Sequence, residues 1–397
     1  LEHLVRFVNQ CSLAKREISV ITGAKFPQER ETADMARVPH PTKKHPALTY
    51  QEPTLVKVGR YSLTTFLVLM VLSLLYVGAW FLTSMQLRSG LQDWFAARQA
   101  NGYLAHYAEK SARISGFPFS VKATLQDVVF APPKNEFAQH PWVWSPSELT
   151  FSITPLPWTI RTLNIDLSAR QTFSINNQSY SGTAETALLS LDWMSKGLPD
   201  EINLSIQKLA LAHKTLPQGV DIQKLSFTSA RQSDGNYAFD LTGERATLPV
   251  GLRGLGRRLD DIILRGHLNE NFAHDGISPS SLIKWRDAGG IMEAQRMHIQ
   301  YGPLLLQGNG TMALDGDLQP VGAFSARIQG FFETVNSLQR AGVVRGPDAS
   351  MAKVVLGMLA KQPQNGGPAT ISLPLTIQNR AFFAGPVQLI DLPILNW

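Results

Sequence analysis

The residues that could do chemistry are few, and their spacing is poor for it. Imidazole and carboxylate groups can hold divalent metals, and His267, His274 and His298 with Asp275 come nearest to such a set. A separation of seven puts His267 and His274 on opposite faces of one strand, where they cannot share an ion. Asp315 and Asp317 resemble a fragment of a calcium loop, but the other ligand positions are missing, so the segment reads as a hairpin turn. The carboxylates of Asp260 and Asp261 are adjacent and point apart in extended chain, which is unsuited to paired acid/base work. The run Gly251-Leu-Arg-Gly254-Leu-Gly256-Arg-Arg is glycine-rich and basic. Its Arg253, Arg257 and Arg258 could contact an anion or lipid headgroup, against the plainer reading of a flexible loop. It lacks the spacing of a dinucleotide site. No Gly-x-Ser-x-Gly elbow, phosphate-binding loop or His-Glu-x-x-His motif occurs anywhere in the chain. No catalytic residue, metal or cofactor is expected, and the chain is not expected to be an enzyme.

The elements that would position these residues are mostly strands. Apolar residues alternate with polar ones in Phe119/Val121/Ala123/Leu125, Leu149/Phe151/Ile153, Leu163/Ile165/Leu167 and Ile202/Leu204/Ile206. The same period recurs in Tyr237/Phe239/Leu241, Leu304/Leu306, Met312/Leu314 and Ile371/Leu373/Leu375/Ile377. Strict alternation means strands with one buried and one wetter face. Turn signals at Asn176-Asn177, Asp234-Gly235-Asn236, Asp315-Gly316-Asp317 and Gly366-Gly367 separate them. About twelve to fifteen strands, mostly antiparallel, are expected. With so little helix between them they cannot form βαβ units.

Helical periodicity is confined to a few stretches. Residues 61–83 open with Tyr-Ser-Leu-Thr-Thr-Phe-Leu-Val and carry no charge from Tyr61 to Leu82. Such a run spans roughly 33 Å, enough to cross a bilayer core. Tyr61 lies at one end and Tyr76, Trp80 and Phe81 near the other, as an interfacial belt requires. Lys43, Lys44, Lys57 and Arg60 precede the run, against Arg88 and Arg98 after it, which puts the N-terminus in the cytoplasm. The run is longer than a signal-peptide core and no Ala-x-Ala site follows, so it reads as an uncleaved anchor. Leu87, Leu91, Trp94 and Phe95 make one apolar face on a helix over 84–114, either a stalk or a plain core helix. Near the C-terminus, Phe331 to Ala341 and Asp348 to Lys361 read as a helical hairpin packed on the sheet or plugging its open end. Asp348 is the expected N-cap there.

Composition narrows the class. The chain has 397 residues, 44% hydrophobic and 17% charged, with 30 Gly and 24 Pro, which excludes a disordered chain, collagen and a long coiled coil. Residues 1–60 hold ten Lys/Arg against six acids, so most of the net charge of +6 lies in the tail rather than on the β-rich part. No nucleic acid is expected as a partner. The single cysteine, Cys11, permits no intrachain disulfide. The expected organisation is a basic, mostly disordered cytoplasmic tail over 1–60, an anchor over 61–83, a stalk over 84–114 and a β-rich domain over 115–397. The residues before Met35 read as an upstream extension of the reading frame or as part of a larger fragment.

The anchor is followed by Gly116-Phe-Pro-Phe119, Trp144-Ser-Pro146, Leu314 to Gly322, and Gly385-Pro386-Val387 with the closing Leu392 to Trp397. In these features the chain, over about 60–397, resembles an uncharacterised bacterial family of membrane-anchored periplasmic proteins grouped with the AsmA-like superfamily. The resemblance implies a β-rich groove and a role in envelope or lipid homeostasis; it assigns no functional residue. The expected fold is mainly β: an anchor and stalk helix, then a large curved antiparallel sheet that forms a groove or a closed sandwich. In the groove reading Phe119, Val121, Leu125, Leu304 and Leu306 line a surface for acyl chains. The expected function is lipid binding or transfer, or envelope assembly, at the bacterial inner membrane, with the domain in the periplasm. The partners would be the inner membrane, a phospholipid or other envelope lipid, and envelope proteins. A scaffold with a closed core, working through protein contacts, is the alternative. An envelope hydrolase is the third reading.

Overall fold

The computed structural model describes residues 54–109, 112–133, 142–156, 158–175, 178–192, 198–215, 219–252, 254–269, 272, 278–362, 366–385, 387–392 and 394–395. The tail before residue 54, with Cys11 and Met35, and the readings on Asn176-Asn177, Arg253, His274 and Asp275 lie outside these residues.

One long helix, α1 (Thr54–Ala100), opens the fold. Its 47 residues extend roughly 70 Å. From Tyr61 to Leu75 every side chain is exposed, and the first buried one is Trp80. Beyond that point Leu87, Leu91 and Phe95 are buried, so one helix is bare at one end and part of a core at the other. It stops earlier than 114. The N–H of Gly102 donates to the Gln99 carbonyl and that of Tyr103 to the Arg98 carbonyl, with Gly102 at φ +81°. This left-handed glycine closes the last turn, and the segment assigned to the stalk continues as two short strands.

Ten strands follow: β1 (Leu104–His106), β2 (Arg113–Ser115), β3 (Val121–Gln126), β4 (Val129–Ala131), β5 (Trp142–Trp144), β6 (Glu148–Ile153), β7 (Thr162–Asp166), β8 (Gln171–Ile175), β9 (Gln178–Thr183) and β10 (Thr186–Asp192). They form two antiparallel leaves, β2-β3-β6-β7-β10 and β1-β4-β5-β8-β9. Both leaves join the same strand, β11 (Glu201–His213). β10 pairs along Glu201–Gln207 and β9 along Ala210–His213, with Lys208 at φ +48° between them. The chain forks there.

α1 covers the first leaf. Trp80, Leu87, Leu91 and Phe95 pack with Val121, Ala123, Leu125, Leu149, Phe151 and Leu163 into one core. These inward residues are the alternate positions of β3, β6 and β7, so the two-residue period of the strands meets the helical stripe of α1. Burying each large side chain here is worth about 1.5–3 kcal/mol. Across the second leaf an aromatic row runs from Trp94 of α1 to Phe130, Trp142 and Phe173, with ring centroids 5.8, 6.0 and 6.0 Å apart in turn.

Beyond the fork the chain is an antiparallel meander: β12 (Val220–Arg231), β13 (Tyr237–Leu252), β14 (Gly256–Leu268), β15 (Met292–Tyr301), β16 (Leu304–Leu314), β17 (Pro320–Gln329), β18 (Ile371–Gln378), β19 (Ala381–Ala384) and β20 (Val387–Asp391). Twenty strands are thus present among the described residues, more than the alternation revealed. β1, β2, β4 and β5 have three residues each, too few to display a period.

Three short helices decorate the meander at its strand ends. In α2 (Pro279–Asp287), absent from the sequence reading, Ser278 and Ser281 form a reciprocal capping box. α3 (Phe331–Arg340) and α4 (Gly346–Leu359) form the C-terminal hairpin. Asp348 is not the N-cap of α4; the helix starts two residues earlier, at Gly346, with Pro347 in its first turn and Arg345 at the cap. The hairpin touches the sheet at β16 and β18, while the apolar side chains Met351, Val354, Val355, Met358 and Leu359 of α4 are exposed.

Candidate functional site

Cross-strand register sorts the meander into two chemically distinct faces. On one face Phe227 of β12 lies beside Leu241, Leu241 beside Leu264, and Leu264 beside Met297. Ile299 then meets Leu306, Leu306 meets Ile328, and Phe324 meets Leu375. Ile377 and Phe382 continue the row onto β19. In the other direction Phe227 faces Leu204 of β11, Leu204 faces Leu189, and Leu189 faces Ile165. Ile165 packs against the core under α1. One apolar surface therefore runs unbroken from the helix-covered leaf to the last strands.

Among the described residues all strands belong to one sheet, and of the helices α3 touches β16 and α4 touches β18. The side chains of the apolar surface are poorly exposed. Leu375 is 2% exposed while its strand neighbour Pro374 is exposed. A flat uncovered face would show both about equally, so the sheet curls toward its apolar side. Register shifts between β13, β14, β15 and β16 supply the bends, since each bulge tightens local twist. Small residues supply the room: Gly266, Gly308, Gly310 and Gly322 all sit on this face. At Gly310 an added Cβ would fall 2.4 Å from both the Ala323 carbonyl and the Phe324 ring.

The opposite face is polar. Arg265 pairs with Asp240 at 2.5 Å, Lys224 with Glu244 at 3.2 Å, His267 with Glu293 at 3.2 Å and His298 with Asp261 at 3.3 Å. Each links neighbouring strands and is partly solvated, so each contributes little to stability. Over β16, β17 and β18 this face holds an open depression of about 620 Å³, lined by Gln307, Asn309, Ser325, Arg327, Ser372 and Pro374. A guanidinium among amides and hydroxyls can hydrogen-bond an anionic or polyhydroxylated group. Sequence reading missed these residues, although they are the alternates of the apolar positions it singled out.

The singled-out residues do not converge. Val121 and Leu125 are buried in the core beneath α1, where Leu125 also lines a cavity of about 280 Å³ with Arg88, Tyr107 and Glu109. Phe119 precedes β3 and is 82% exposed. Leu304 and Leu306 lie on the apolar face of the meander, half-buried. Arg257 donates to the backbone carbonyls of Leu248 and Gly219, both at 2.6 Å, which ties down the β13–β14 hairpin. Arg258 pairs with Asp260 at 2.5 Å. Neighbours along a strand alternate sides, so these two arginines form no joint anion cradle. Asp261, bound to His298, leaves no carboxylate pair with Asp260. Asp315 accepts from the N–H groups of Asp317 and Gln319 and shapes the β16–β17 turn. Among the described residues no three His, Cys, Asp or Glu side chains gather as a metal site.

Fold and surface together define the class: an open antiparallel sheet with one apolar face, carried on a helix long and apolar enough to cross a membrane. The chain belongs to the family described as uncharacterized protein conserved in bacteria, DUF2125, which matches residues 80–393. The match begins at Trp80, where α1 enters the core. No curated protein and no solved structure matches the chain.

Proposed function

We propose that this is a single-pass bacterial inner-membrane protein whose sheet receives the acyl chains of an envelope lipid on its apolar face, with no catalytic role. The observation that carries this reading is the continuity of that face from the leaf under α1 to β19, on a single sheet. A lipid tail on such a surface would stay out of water while the headgroup remained at the wet edge. The basic residues Lys57 and Arg60 before the exposed stretch of α1 support a cytoplasmic N-terminus and a periplasmic sheet. The AsmA-like resemblance of the turn motifs supports the same placement. The test is photo-crosslinking of the full chain in nanodiscs containing a phospholipid with a diazirine in its acyl chain. Adducts on β14–β17 peptides that diminish in Leu306→Glu, with melting unchanged, are expected. Adducts confined to α1 would overturn the reading.

The second reading, a scaffold working through envelope proteins, is favoured by one observation, the exposed apolar stripe of α4. Specific capture of a single envelope protein by the intact chain, lost in Met358→Glu, would favour it.

A further inference from the structure

The loops that flank the exit of α1 carry a second apolar surface, distinct from the curled face. In the first, residues 114–121 read Ile-Ser-Gly-Phe-Pro-Phe-Ser-Val, and in the second, residues 149–160 run from Leu149 to Ile160; neither contains a charge. Val121 and Ile153 are paired in register, so the two loops leave the same edge of the leaf side by side. Phe119 is 82% and Trp158 75% exposed at their tips, and Phe117 is exposed beside them.

The helix sets the depth of these tips. The hydroxyl of Tyr76 donates to the Pro118 carbonyl. The Trp80 indole N–H donates to the Ser120 carbonyl at 2.8 Å, and its ring meets that of Phe117 edge-on at 5.4 Å. Tyr76 lies six residues, roughly 9 Å, before Leu82, where the apolar run gives way to Thr83 and Ser84. A bilayer core of about 30 Å starting at Tyr61 ends near Trp80, so a loop strapped to Tyr76 and Trp80 lies at or within its surface. Lys122 and Arg161 close the two loops on the domain side, at headgroup level.

We infer that the loops bearing Phe117, Phe119 and Trp158 insert into the bilayer interface and dock the sheet on the membrane that α1 crosses. Aromatic rings with exposed edges suit that layer. Two attachments, a span and a docked edge, fix the tilt of the sheet against the membrane, which a single helix alone does not do. The inference rests on the membrane-spanning reading of α1 and is independent of lipid carriage.

The test is site-directed spin labelling of the full chain, with Cys11→Ser as background, in nanodiscs of phosphatidylcholine and phosphatidylglycerol. Nitroxides at Phe119→Cys and Trp158→Cys are compared with Leu72→Cys, in the exposed part of α1, and Asn309→Cys, on the polar face. Relative collision with oxygen over a water-soluble nickel chelate should be several-fold higher at the two loops than at Asn309 and should approach that at Leu72. Loop values equal to Asn309, with Leu72 still lipid-like, overturn the docking and leave the span intact. Loops shielded from both relaxers are covered by protein, which also overturns it. Water-like values at Leu72 overturn the span and the docking together.

Discussion

The indole N–H of Trp80 donates to the Ser120 carbonyl at 2.8 Å, across forty positions of sequence. This contact joins the last exposed turns of α1 to the first turn before β3. Gly116, at φ +94°, makes it possible: a Cβ there would stand 2.6 Å from the same carbonyl oxygen. The loop closes over backbone, and the helix reads its carbonyl.

Trp80→Ala should therefore destabilise the fold by about 3–5 kcal/mol, from lost burial and the cavity left behind. Trp80→Phe keeps most of the packing and loses the hydrogen bond, for about 1 kcal/mol. Thermal melting of the full chain in nanodiscs, followed by the strand signal in circular dichroism, ranks the two. Equal, negligible losses would show that the strap carries no stability.

Gly310→Ala should cost about 1–3 kcal/mol, because the new methyl meets the Ala323 carbonyl and the Phe324 ring at 2.4 Å. Its neighbour Asn309 faces the other side and is exposed, so Asn309→Ala should stay within about 0.5 kcal/mol. Denaturant midpoints for the pair give the comparison. Similar midpoints would contradict the tight inner curve.

Tyr237 is buried at the start of β13, with its hydroxyl accepting from Arg231 Nε at 3.1 Å. Burial pushes its phenol above the usual value of 10.0, and the nearby Arg231 charge pulls the other way. Below about pH 10 the group is protonated in both folded and unfolded chains, and its contribution is constant. Above that, the unfolded chain ionises first, so stability falls as pH rises. Tyr107, raised mainly by burial and then by Glu109, adds to the same alkaline loss. Melting temperatures between about pH 9.5 and 11.5 should drop less steeply in Tyr237→Phe than in the parent. An identical slope would assign the loss to other groups.

Met351→Glu with Met358→Glu should leave the unfolding midpoint within about 0.5 kcal/mol, since both side chains stand in solvent, Met358 80% exposed. The double variant should bind less of a hydrophobic dye than the parent. A cooperative loss of stability would mean that the α4 stripe is covered in solution.

The strand content was legible because period-two alternation survives wherever a strand has one dry face, as in Leu149/Phe151/Ile153 and Leu304/Leu306. The α1 stripe of Leu87, Leu91 and Phe95 was equally plain. Alternation does not say what lies on the dry face. Val121 and Leu306 have the same local pattern, yet one sits beneath a helix and the other packs half-buried against its own sheet neighbours. The polar depression was hidden because its residues come from three strands and read individually as solvent positions. Phe119 misled for a related reason: it keeps the phase of β3 but stands before the first ladder pair.

The fork at β11 has a mechanical meaning. Among the described residues, β11 is the one strand bonded both to the helix-covered leaves and to the meander. Load applied at the helix is carried to the far strands through a single β11–β12 ladder, loaded along its length in shear.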